Sequence, residues 1–240
     1  MYKYFPTTTE ELAKIINAEV ERKGWNCSLN HIDVSQITDM SYLFSNTCYY
    51  GYKLGEFNGD ISRWNVSNVE NMCSMFHGAK SFNQSICDWD VSNVTTMEDM
   101  FYGADSFNQP IGRWDVSNVT NMNGMFYKAK SFNQPIGDWD VSNVINMGYM
   151  FCHAHSFNQP IGDWDVSNVE NIVSMFDHAE TFNQPIGDWD VSNVTDMNYT
   201  FYCAEQFGQD LSKWKLKTNC DTTGIFCNCP IKEQYKPTGI

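Results

Sequence analysis

The chain has 240 residues, 42% of them hydrophobic and 15% aromatic, which is too apolar for a disordered polymer and enough to bury a substantial core. Its 29 acidic against 15 basic residues leave a net charge of −14, so no basic face for phosphate, and hence no nucleic-acid partner, is expected. No apolar run approaches the ~20 residues of a membrane span, and the charge favours a protein partner or a repetitive, cationic surface ligand.

The segment TTTEELAKIINAEVERKG, residues 7–24, predicts an amphipathic helix. A threonine cap precedes Glu10 and Glu11, apolar residues fall at 12, 15, 16 and 20, and Gly24 closes it. Residues 1–28 are expected to form an N-terminal cap over the remainder of the chain.

From residue 29 the chain repeats itself. Trp64, Trp89, Trp114, Trp139, Trp164, Trp189 and Trp214 fall every 25 residues without a slip. An earlier unit, IDVSQITDMSYLF at 32–44, puts Ile32 in the tryptophan position and is followed by a longer loop. Each unit opens I-x-x-W-x-V-x-x-V, as in Ile86, Trp89, Val91 and Val94, which has the spacing of a leucine-rich repeat. Trp89 and Val91 are then expected to share one side of a short strand. From Val94 the apolar spacing changes to three and four (Met97, Met100, Phe101, Ala104), which predicts a helical or 3-10 return. The asparagines at 83, 108, 133, 158 and 183 are expected to form a buried ladder.

The expected class is an α/β solenoid, leucine-rich-repeat-like, with one short parallel strand and one helical or 3-10 return per repeat. About eight repeats occupy 29–229, and 230–240 forms a tail or cap of the same single domain. A lone unit cannot bury its tryptophan and phenylalanines, whereas stacked units share one core.

With the unit spelled out as W-D-V-S-N-V-T-N-M-x-x-M-F-x-x-A-x-x-F-N-Q-P, the chain resembles the BspA-like bacterial surface proteins with mycoplasma-type repeats, over roughly 29–229. That resemblance implies a leucine-rich-repeat-like solenoid at the cell surface, engaged in adhesion and without enzymatic activity. It favours a surface or secreted location. The opening MYKYFPTTTEELAK has no hydrophobic stretch of the signal-peptide kind and points instead to an intracellular one.

Two outward columns flank the tryptophans. One carries Asp90, Asp115, Asp140, Asp165 and Asp190; the other carries Asp88, Asp138, Asp163 and Asp188, with Arg113 between the first two. Like charges ~5 Å apart in water repel by ~0.8 kcal/mol, so the ladder needs a compensating role. Each aspartate of the Asp90 column can accept hydrogen bonds from the Ser-Asn amides that follow it, or the columns can form a binding face for a basic partner or for calcium. The strand face is uniform between repeats, while the return residues vary.

Nine cysteines do not follow the period and are expected to be mostly reduced. Cys203 with Cys227 or Cys229 is the pair best placed for a disulfide under oxidising conditions. His153, His178 and Cys203 occupy one column on successive repeats and are weak candidates for a metal, since stacked repeats set ligands in a line and zinc takes a tetrahedron. No phosphate loop, nucleophile elbow or metalloprotease helix appears, and no cofactor is expected. The sequence thus points to a non-enzymatic scaffold for protein–protein interaction or adhesion; the alternative is a structural component that stacks with other chains. Oligomeric state is left open.

Overall fold

The structure, a computed structural model, describes residues 2–239. Helix α1, Thr9–Lys23, forms where its capping residues place it. Thr8 Oγ1 accepts the Glu11 N–H at 3.2 Å, and the Glu11 carboxylate reaches back to the Thr7 N–H at 2.9 Å. Gly24, at φ +87°, turns the chain out and donates to the Val20 carbonyl. Leu12, Ala13, Ile16 and Val20 are buried against the first repeat.

On the same helix Glu19 is only 2% exposed. Arg22 (2.8 Å), Lys23, His31 (3.2 Å) and Tyr4 Oη (2.9 Å) surround its carboxylate. Burial alone would raise its pKa, but hydrogen bonds from Lys23, Arg22 and Tyr4 outweigh that and hold it at about 2. This carboxylate ties the cap helix to the chain segments on both sides of it.

Beyond the helix, successive repeats lie on one another in parallel register. Single bridges join Asn71 to Thr96, Thr96 to Asn121 and onward, always 25 residues apart, to Asp221. Among the described residues longer strands do not form and the only other helical element is a 3-10 turn at Glu233–Tyr235. Both halves of the expected unit therefore need correction. The Trp-x-Val segment is not a strand, because its amides are spent within the repeat: Trp89 N–H bonds the Ile86 carbonyl, Ser92 N–H the Asp90 carboxylate and Val94 N–H the Val91 carbonyl.

The return is not helical either. From the second repeat on it carries two left-handed residues per repeat, such as Tyr149 (φ +58°) and His153 (φ +56°). Those two residues break an i→i+4 ladder and turn alternate amides outward. In each repeat four N–H groups donate to the next repeat, for example Met122 to Asn146, Gly124 to Gly148, Phe126 to Met150 and Lys128 to Cys152, at 2.8–2.9 Å. The remaining amides close three-residue turns, as Met125 to Met122 does. Parallel pairing thus falls on the segment where a helix was expected, and we call this side the ladder face.

The core matches the apolar columns. Trp, Ile, both valines, both methionines, alanine and both phenylalanines are buried in the middle repeats. The rings of Phe76, Phe101, Phe126 and Phe151 stack at 5.5–5.7 Å, and each lies 3.9–4.1 Å from the second phenylalanine of its own repeat, as in Phe101 with Phe107. Burying each such ring contributes about 2 kcal/mol relative to exposing it. Every indole N–H of the repeat tryptophans reaches back one repeat: Trp139 Nε1 donates to Ile111 O at 3.1 Å, and Trp164 Nε1 to Ile136 O at 3.1 Å.

Two asparagine ladders run beside this core. In the expected one, Asn133 Oδ1 accepts the Asn158 N–H at 3.0 Å, and the pattern repeats from 58 to 208. Its members are half-buried or exposed rather than buried, and each Oδ1 also accepts from the glutamine of the next repeat, as Asn133 does from Gln159 Nε2 at 2.9 Å. The second, at Asn93, Asn118, Asn143, Asn168 and Asn193, donates to the serine carbonyl of the preceding repeat at 2.7–2.8 Å. Periodicity alone did not reveal this second ladder.

Candidate functional site

The aspartates next to the tryptophans occupy two different situations. In one column the inner oxygen is spent on the chain itself. Asp90, Asp115, Asp140, Asp165 and Asp190 each accept the N–H of the serine two residues on, at 3.0–3.1 Å. For the first three the serine hydroxyl adds a bond of 2.6 Å. Hydrogen bonds from the serine side chain and backbone hold Asp90, Asp140 and Asp190 below the ordinary carboxylate range.

The other column is free of such turns. Asp88, Asp138 and Asp163 accept no hydrogen bond among the described residues, and Asp188 pairs with Lys213 at 2.6 Å. Asp88, Arg113 and Asp138 line a shallow groove of about 430 Å³ with Pro110, Gly112 and Pro135. The glycine matters here: a Cβ on Gly112 would run into the Pro135 carbonyl of the next repeat. The groove offers alternating charge on a stiff proline floor.

The metal candidates are not brought together as ligands. The rings of His153 and His178 stack face to face at 4.5 Å, and His178 Nδ1 meets Asp177 at 2.5 Å. Cys203 lies on the next repeat, against the Asn228 amide at 3.5 Å. Among the described residues no three His, Cys, Asp or Glu side chains converge as a metal site requires. All nine cysteines are free thiols, so the disulfide between Cys203 and Cys227 or Cys229 is not formed. Burial pushes the Cys152 and Cys229 thiols up, away from the reactive thiolate.

The ladder face holds a feature that column-by-column reading missed. His77, Tyr102, Tyr127, His153, His178 and Tyr202 form an unbroken row of rings across six repeats. Successive centroid distances are 4.3, 4.6, 6.1, 4.5 and 5.5 Å. The rings are half-buried, with Tyr149 (39% exposed) and Tyr199 (43% exposed) beside them. Burial lowers the pKa of His77 and His153, which favours their neutral form. Lys128 lies over the Tyr127 ring at 4.9 Å. The row escapes a fixed period because it changes column: 77, 102 and 127 share one, 153 and 178 the next, and 202 returns to the first.

A family model described as a Mycoplasma protein of unknown function, DUF285, matches residues 46–151 and again 133–236. These tandem matches span most of the repeats, and the chain belongs to this family. No curated protein matches the chain at a significant level. No described helix is long and apolar enough to cross a membrane.

Proposed function

We propose that this member of a family of unknown function is a non-enzymatic, leucine-rich-repeat-like solenoid that works as a scaffold for protein–protein interaction or adhesion. The ladder face carries recognition. The observation behind this reading is the ring row from His77 to Tyr202, because aromatic side chains supply large contact area at low entropic cost and dominate recognition surfaces. The free carboxylates of Asp88, Asp138 and Asp163 give a cationic ligand a second place to bind. The likeness of the repeat to BspA-like surface proteins supports adhesion as the setting. The experiment is binding of the immobilised chain to purified matrix proteins and to synthetic basic peptides. Tyr102→Ala with Tyr127→Ala should abolish capture while leaving the melting temperature within a few degrees. Retained capture by that variant, or no capture of any probe by the native chain, would overturn the reading.

A further inference from the structure

The two ends of the repeat stack differ. At seven successive junctions, four N–H groups of one repeat donate to carbonyls of the next, the last set being Met197, Tyr199, Phe201 and Cys203. The equivalent groups of the final repeat are the N–H of Thr222, Gly224, Phe226 and Asn228. None of these has an acceptor among the described residues. The tail does not cover them. It crosses the tryptophan side, where the Tyr235 carbonyl accepts the Leu211 N–H at 2.8 Å and Ile231 and Pro237 are buried. Phe226 and Leu216 are consequently half-buried, whereas their counterparts Phe201 and Val191 are fully covered.

The other end is closed. Thr9 Oγ1 of α1 donates to the Asp39 carbonyl at 2.5 Å. Ser41 and Ser45 are buried, although their column mates Cys73 and His77 are only half-buried. A second copy cannot therefore stack its first repeat on this chain's last one without displacing its own cap.

The open edge offers four donors, and at three of these positions the carbonyl is already engaged. The carbonyls of Thr222, Gly224 and Phe226 are already taken by turns within the repeat, from the N–H groups of Ile225, Cys227 and Cys229. An ordinary β-strand would bring N–H groups of its own to such an edge and leave them unpaired. Aligned peptide groups also leave partial positive charge at an N–H end. Lys213 and Lys215 stand where the previous repeat has Asp188 and Asp190, and Lys217 follows; Lys213 is paired with Asp188, and the exposed Asp221 adjoins the edge, so the last repeat is less acidic than those before it. Unpaired donors and exposed apolar area occur together here, with Lys215 and Lys217 on the same repeat.

We propose that the ladder edge of residues 222–228 docks an extended acidic polypeptide segment. Its carbonyl and carboxylate oxygens take the four N–H groups, and its apolar side chains cover Phe226 and Leu216. This edge adjoins the last rings of the row, with Gly224 against Tyr199, but the inference does not depend on what the row binds.

The test uses the full chain with a labelled peptide of alternating glutamate and valine, and its lysine–valine counterpart as control. The glutamate peptide should bind, with an affinity that falls as salt is added, and should slow amide exchange at Thr222, Gly224, Phe226 and Asn228 at least tenfold. Thr222→Pro, which deletes one donor, and Phe226→Asp should each weaken binding at least tenfold. Tyr102→Ala with Tyr127→Ala should leave it unchanged. Equal binding of both peptides, protection confined to other amides, or self-association that protects this edge in the absence of peptide would overturn the proposal. Should Thr222→Pro unfold the last repeat, exchange in the native chain decides alone.

Discussion

Trp114 donates its indole N–H to the backbone carbonyl of Ile86, one repeat back, over 3.1 Å inside the core. The same bond recurs at every tryptophan from Trp64 to Trp214. Each repeat is thus pinned to its predecessor by a side chain as well as by backbone pairing. Trp114→Phe keeps an aromatic ring but leaves the Ile86 carbonyl without that donor and removes ring volume. The expected loss is about 2–4 kcal/mol, measured as a shift of the urea midpoint at unchanged slope.

Asp140 tests the turn role of its column. Its carboxylate accepts both the amide and the hydroxyl of Ser142. Asp140→Ala should cost about 1 kcal/mol at pH 7, and Asp138→Ala, which breaks no such turn, should cost close to nothing. The folded pKa of Asp140 lies below its ordinary 3.8. The contribution is therefore full above pH 3.8 and disappears as pH falls through the folded value. Native and Asp140→Ala melting temperatures should converge at strongly acid pH.

Asp99 behaves in the opposite sense. Its carboxyl occupies the space that a side chain on Gly124 would need, at a left-handed position with φ +53°. Burial, aided by the neighbouring Glu98, raises its pKa to about 6. Between its ordinary 3.8 and about 6 the folded chain holds a proton that the unfolded chain has lost, so stability falls as pH rises across that window. Asp99→Asn keeps the shape and tolerates the left-handed backbone. With partial exposure screening the charge, it should stabilise by about 1 kcal/mol at about pH 7.5 and have no effect at about pH 3.5, read from paired thermal melts.

Glu19 is the acid-sensitive lock of the cap helix. Glu19→Gln leaves Arg22, Lys23 and Lys3 facing a neutral amide at a buried site, and should cost about 3 kcal/mol at neutral pH. Its pKa of about 2 lies well below the ordinary 4.5, so the native chain keeps this contribution above pH 4.5 and loses it as pH falls toward 2. Amide exchange should show α1 opening before the repeats in acid. Simultaneous opening of helix and repeats would refute the idea.

Much of this architecture is written in the sequence. Seven tryptophans at an unbroken period, with Ile32 in their position one unit earlier, mark eight repeats, and the apolar columns between them mark the buried residues, since only residues that face inward need stay apolar. The cap helix is legible from Thr8, Glu11 and Gly24, because capping is a local chemistry. The turn-forming use of the Asp90 column is legible for the same reason, the serine being two residues away.

Tertiary structure decided what depends on contacts between repeats. Spacing of three and four from Val94 onward suits a helix, yet left-handed residues such as Asp99 and Gly103 turn those amides toward the next repeat, which no single unit can announce. The ring row was hidden because it steps between columns, and adjacency in a stack is set by distance across repeats rather than by position within one. The open edge at Thr222–Asn228 is likewise invisible in the sequence: whether an amide is paired depends on what lies above it, and only the path of the tail across the tryptophan side leaves these four uncovered.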